Sequence, residues 1–303
     1  MPATTPLPDV PGLPAGVTLE NGEGGLPVLR VETARATGEV YLHGGQVTGW
    51  TPAGHAPVIW TSPRARFEPD AAIRGGIPLC FPWFGPGREP EMRPAHGFAR
   101  LADFTLLEAR EDDGDVALTL RLTDEDAAGL PGTDVWPFPF ELTCQVRFGS
   151  TLRVAVTTRN TSAHVRSYEE AQHAYLAVQD VRDVRITGLD GAPYLDKVGT
   201  PGPHTQRGEL TFAGETDRIY GSTSDVTVHD PGLGRRLTVT KQGSASTIVW
   251  SPWSAKAAAM ADLGEEHWTG MVCVEPANVL HDGIVLEPGA SHTTTVTYAV
   301  ERS

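Results

Sequence analysis

Between Ala102 and Thr161 the chain repeats one pattern four times, and this pattern restricts the fold more than any other feature. ADFTLLEARE, DVALTLRLT, FELTCQVRF and TLRVAVTTRNT each alternate apolar and polar residues with period two. Such alternation sets one face of an extended chain against a core and the other toward water, as half-buried antiparallel strands require. Phe148-Gly149-Ser150, between two of these runs, reads as a hairpin turn. Leu152, Val154 and Val156 are then expected to face inward and Arg153 outward. Further strands are expected at PVLRVETA, at GEVYLHGGQVTGWTPA with a Gly-Gly turn or bulge, and at YEEAQHAYLAV, DVRITGL, DVTVHD, RRLTVTKQ, STIVWSPW, TGMVCVEPA and SHTTTVTYAVE.

Helical signal is scarce. Ser254 to Glu266, rich in Ala with Met and Leu at helical spacing, predicts one short helix with Ser254 as its cap. Thr123 to Leu130 predicts a single turn. The 33 glycines and 25 prolines make about a fifth of the 303 residues, against a usual ~12%, which fits many turns between short strands. No fixed-period repeat and no linker divides the chain. The expected fold is all-β: one large antiparallel β-sandwich domain over residues 17–303, preceded by a Pro-rich, extended or frayed N-terminal extension, 1–16.

The segment from Arg74 to Arg100, RGGIPLCFPWFGPGREPEMRPAHGFAR, breaks the pattern. Pro78, Pro82, Pro86, Pro90 and Pro94 remove backbone donors, so an irregular loop with no regular strand is expected. Arg74, His96 and Arg100, set among Phe81, Trp83, Phe84 and Phe98, offer the chemistry of a polar, anionic small-molecule site. The net charge of -14 argues against nucleic acid and anionic membranes as partners, so an anionic substrate requires arginines gathered locally. Cys80, Cys144 and Cys273 are odd in number, widely spaced and set in apolar runs, which predicts buried free thiols. The N-terminus lacks the regions of a signal peptide, and no apolar run approaches ~18 residues. A cytoplasmic monomer or weak dimer is expected.

Two further residues stand out. His173 lies in a strand-like run with Tyr175 on the same face. Glu275 ends an apolar run just before Pro276, where regular pairing is expected to stop, leaving the carboxylate to solvent or to polar partners. Asp217-Arg218 and Asp196-Lys197 read as surface charges. The histidines are scattered, with no HExxH, no Gly-rich strand-to-helix turn and no GxSxG, so neither a metal nor a cofactor is expected.

RGGIPLCFPWFGP, PAHGFAR, EAQHAYLAV, GLDGAPYLDK, GETDRIY, VWSPW and MVCVEPANV, in that order, resemble the hexose-6-phosphate mutarotases, or glucose-6-phosphate 1-epimerases, of the aldose 1-epimerase superfamily. The resemblance spans the chain from about residue 20 onward. It implies a galactose-mutarotase-like β-sandwich that interconverts α and β anomers of hexose 6-phosphates without a cofactor. It also implies that His173 and Glu275 are catalytic, that Arg74, Arg100 and Asp217 hold substrate, and that His96 hydrogen-bonds near the ring oxygen. Ala95, Ser251 and Pro276 depart from the resemblance and bear on fine substrate preference. The implied chemistry pairs an ionised Glu275 as base with a protonated His173 as acid, each favouring the other's charge. Preference for free aldoses, and a sugar-phosphate binding protein without catalysis, are the competing readings.

Overall fold

The four period-two runs become four neighbouring strands of one sheet. The computed structural model describes residues 7, 8, 10, 12–89 and 92–303; Pro90 and much of the expected N-terminal extension lie outside the described residues. Thr105–Asp112, Asp115–Thr123, Phe140–Phe148 and Leu152–Asn160 pair antiparallel in chain order. They continue through Ser291–Arg302, Arg235–Gln242, Val226–Asp230, Arg185–Thr187 and Leu210–Thr211 to complete nine strands. Leu118, Leu120, Leu152 and Val154 are buried while Arg153 is exposed. Each buried side chain of this size stabilises the fold by about 1.5–3 kcal/mol.

A second, eight-stranded sheet runs Pro203–Thr205, Pro193–Asp196, Thr216–Gly221, Ser246–Ser251, Met271–Asn278, Glu170–Gln172 and Leu79–Cys80, with Tyr175–Ala177 also paired to Met271–Asn278. The main apolar core draws on both sheets. Gln172 crosses between them, its Nε2 donating to the Thr294 carbonyl at 3.2 Å. A four-stranded meander, Val17–Asn21 to Gln46–Pro52, packs beside the larger sheet. There Gly38 is pressed on Phe148, where a Cβ would lie 2.2 Å from a ring carbon, and Trp50 donates to the Gly149 carbonyl. The architecture is the expected antiparallel β-sandwich.

Two expectations need correction. The helix covers only Trp253–Ala259, with no side-chain cap, because Met260 turns extended and Asp262 is drawn toward Arg74. The segment after Arg74 is also more regular than its prolines imply. Leu79–Cys80 pairs with Glu170–Gln172. Around that pair, Tyr175, His173 and Glu169 donate their backbone N–H groups to the carbonyls of Gly76, Pro78 and Pro82, at 2.9, 3.0 and 2.9 Å. The segment is therefore an edge strand, where proline is tolerated. Thr123 to Leu130 forms the expected turn, and Cys80, Cys144 and Cys273 are buried free thiols.

Candidate active site

Residues directly opposed across antiparallel strands share a face of the sheet. Asp217, Trp250, Cys273 and Tyr175 form one such row. Ile219, Ile248 and Glu275 form the next. The pairs Ala171–Ala277 and Tyr175–Cys273 bracket His173 and set it opposite Glu275. Between those brackets the ladder thins, although the Val274 N–H still donates to the Ala174 carbonyl at 3.2 Å. Ala174 turns its N–H back to the Gln172 carbonyl at 2.8 Å, and His173 gives its own to Pro78. Pro276, across from Gln172, has no N–H to offer. The strand nevertheless does not stop there, as the sequence had implied: Pro276 pairs with Thr247, and Asn278 with Glu170.

A cleft of about 390 Å³ opens on this face. Arg74, His96, Arg100, His173, Asp217 and Glu275 all line it, although they span about two hundred residues of chain. Phe84, Lys197, Trp250, Lys256 and Met260 complete much of the wall. Of the four aromatics in the arginine segment, only Phe84 reaches the cleft; Phe81, Trp83 and Phe98 pack in the core. Ala95 lines the cleft, whereas Ser251 and Pro276 do not.

His173 and Glu275 form its floor. Nε2 of His173 lies 3.5 Å from Oε1 of Glu275, and the two residues are 8% and 1% exposed. Among the described residues, neither His173 Nδ1 nor Glu275 Oε2 has a hydrogen-bond partner. The imidazole stacks on Tyr175 at 4.9 Å and meets the edge of Trp250. Burial lowers the pKa of His173, and the nearby Arg74 and Arg100 lower it further. Burial raises that of Glu275, and Asp217 adds to this. The cleft by itself thus favours a neutral imidazole and a protonated carboxyl, the reverse of the expected charged pair. Lost solvation, with like charge beside each group, outweighs their attraction across 3.5 Å.

His96 sits on a tight turn at φ 66°. The Gly85 N–H donates to its Nδ1 at 3.3 Å, so the neutral ring carries its proton on Nε2. Burial, followed by Arg100, holds this ring neutral.

The cations differ in how far they are already engaged. Arg74 donates to Asp262 through Nε and to the Tyr175 hydroxyl through Nη1, both at 3.0 Å. Lys197 pairs with Asp217 at 3.0 Å and Lys256 with Glu215 at 2.6 Å. Arg100 bonds only the Ala95 carbonyl, and its buried Nε has no partner among the described residues. It is the one cleft cation, among the described residues, without a carboxylate. Lys197, read from sequence as surface charge, is thus part of the wall, whereas Asp196 and Arg218 pair with each other outside it. Lys256 and Asp262 were hidden inside a predicted helix.

Residues 27–299 match the family described as Aldose 1-epimerase. A protein of Cenchrus ciliaris named "Putative glucose-6-phosphate 1-epimerase" is 35% identical over 83% of this chain and 77% of its own length. An Escherichia coli K12 protein of the same name is 33% identical over 83% of each chain. Among solved structures, a Salmonella typhimurium protein described as a putative mutarotase superposes with a TM-score of 0.88 at 27% identity, covering 98% of this chain and 97% of that one. A galactose mutarotase-like protein from Clostridium acetobutylicum shares the fold, with a TM-score of 0.70 at 10% identity over 95% and 98% of the two chains.

Proposed function

The chain belongs to the aldose 1-epimerase family, a family of isomerases, and from that premise we propose that it interconverts the α and β anomers of a hexose 6-phosphate, glucose 6-phosphate first among them. The observation that carries this reading is the buried, unsatisfied His173–Glu275 pair at the floor of a cleft that also holds the unpaired Arg100. The name borne by the relatives supports the phosphate.

Anomer exchange needs one proton taken from the C1 hydroxyl and one given to the ring oxygen as the C1–O5 bond breaks. Rotation about C1–C2 and the reverse transfers then close the ring. Glu275 takes the hydroxyl proton and His173 protonates O5, with the roles exchanged on closure. This requires the pair's single proton to reside on His173 at ring opening, whereas the cleft alone leaves it on Glu275. A phosphate between Arg74 and Arg100 acts against part of this bias. Burial is the main cause that opposes an imidazolium, and the phosphate charge offsets the two guanidiniums that add to it, so substrate binding shifts the proton toward His173. His96 donates from Nε2 toward the ring oxygen, and Asp217 with Lys197 holds sugar hydroxyls.

A second reading, preference for free aldoses, is favoured by the carboxylates already engaged on Arg74, Lys197 and Lys256. Anomer equilibration of glucose 6-phosphate and glucose, followed in parallel by polarimetry, separates the two. A large excess in rate constant for the phosphate ester is expected. Equal rate constants would leave the free-sugar reading standing, and no acceleration of either would remove both.

A further inference from the structure

The acid–base pair has a third neighbour that the reaction does not use. Cys273 precedes Glu275 by two residues on the same face of the same strand, opposite Trp250 and Tyr175, and is fully buried. One ligand atom from each of His173, Cys273 and Glu275 lies within 4.8 Å of the other two, and the His173–Glu275 contact is already 3.5 Å. We propose that these three residues form an inhibitory Zn²⁺ site at the floor of the cleft.

Zinc bonds of about 2.0–2.3 Å in tetrahedral array hold neighbouring ligand atoms about 3.3–3.8 Å apart. Closing the cluster to that size takes side-chain movement of roughly 1 Å on a paired sheet. Imidazole nitrogen, thiolate sulfur and carboxylate oxygen are donors that suit Zn²⁺ rather than Mg²⁺ or Ca²⁺. His173 Nδ1 and Glu275 Oε2 are buried atoms without a hydrogen-bond partner among the described residues, so nothing in the cleft ties up the carboxylate or fixes the imidazole proton on Nε2, and a neutral ring with its proton on Nδ1 offers the Nε2 lone pair. Coordination forms Zn–S and Zn–O bonds as the Cys273 thiol proton and the Glu275 carboxyl proton leave for solvent, and thiolate and carboxylate together balance the ion's two charges. Three protein ligands leave the fourth position to water. His173 lies about a hundred positions from Cys273 and Glu275 in sequence, which is why ligand spacing alone gave no metal signal. The inhibitory part of the proposal rests on the proposed function; the binding part does not.

The test is a titration of metal-free, full-length protein with Co²⁺. A thiolate-to-cobalt charge-transfer band in the near ultraviolet is expected, and Zn²⁺ should bleach it. Cys273→Ala should abolish the band, while Cys80→Ala and Cys144→Ala keep it. In the polarimetric assay Zn²⁺ should inhibit, chelator should restore activity, and Cys273→Ala should need at least about tenfold more Zn²⁺ for the same inhibition. Should Cys273→Ala not fold, Cys273→Ser with its shorter, harder oxygen replaces it. No thiolate band, or a band unchanged in the Cys273 variant, overturns the site. A band in a protein that accelerates no sugar would overturn the proposed function and leave the metal site standing.

Discussion

Glu169 and Glu275 are both buried carboxylates beside the same short stretch of sheet, and the fold treats them in opposite ways. Glu169 accepts the backbone N–H groups of Phe84 and Leu280, at 3.1 and 2.9 Å, and is clamped by Arg88 at 2.8–3.0 Å. Glu275 has only an imidazole at 3.5 Å, and one of its oxygens has no partner among the described residues. Burying a carboxyl is costly unless hydrogen bonds replace its water. At Glu169 they do, and the residue ties the arginine segment to the loop at Leu280. At Glu275 they do not, and the uncompensated cost persists where proton transfer is proposed.

The contrast predicts that one substitution, Glu to Gln, has opposite consequences at the two sites. Glu275→Gln should lower the rate constant for anomer equilibration by about 10²–10⁴-fold. Glu169→Gln, measured on its folded fraction, should change that rate far less; equal losses at both sites would break the comparison. The guanidiniums extend it, since Arg88 is engaged by a carboxylate and Arg100 is not. Arg100→Ala should raise KM for hexose 6-phosphate by about 10–100-fold, the worth of charge-assisted hydrogen bonds, without a comparable rise in KM for free hexose. A uniform loss on both substrates would move phosphate recognition elsewhere.

Stability should sharpen the comparison further. Glu169→Gln places an NH₂ group against a backbone donor and should cost about 1–3 kcal/mol in denaturant unfolding. Glu275→Gln should instead stabilise, by the smallest of these effects, and only above the acid range. Burial raises the folded-state pKa of Glu275 above its unfolded value. The stability linked to its proton is therefore complete below the ordinary carboxyl pKa of about 4.3 and is lost as pH rises through the folded value. Glutamine does not ionise, so the variant gains on the parent as pH increases. Thermal melts across pH check this, and a gain independent of pH would contradict it.

The larger sheet was legible because alternation alone determines it. DVALTLRLT, FELTCQVRF and RRLTVTKQ coincide residue for residue with strands, each having one wet and one dry face. The smaller sheet was less so. Met271–Asn278 is buried on both faces, so it lacks the period-two alternation that would tell its cleft face from its core face, and Pro276 looked like an end. The opposition of His173 and Glu275 depends on register between strands a hundred residues apart, which no local pattern encodes. Lys197 and Asp262 were missed for the same reason: each is recognisable only through its partner, Asp217 or Arg74.

The carbonyl of Pro78 that receives the His173 N–H belongs to the same run of backbone that begins at Arg74. Only three residues therefore separate Arg74, whose guanidinium is proposed to grip the anion, from Pro78, whose carbonyl seats the imidazole. Fastened along the sheet edge by its backbone bonds, this piece of chain would work as a gauge under the proposed function. It would set how far the charged end of a ligand stands from the atom that exchanges a proton, so that the main chain, as well as the side chains that touch hydroxyls, selects by ligand length.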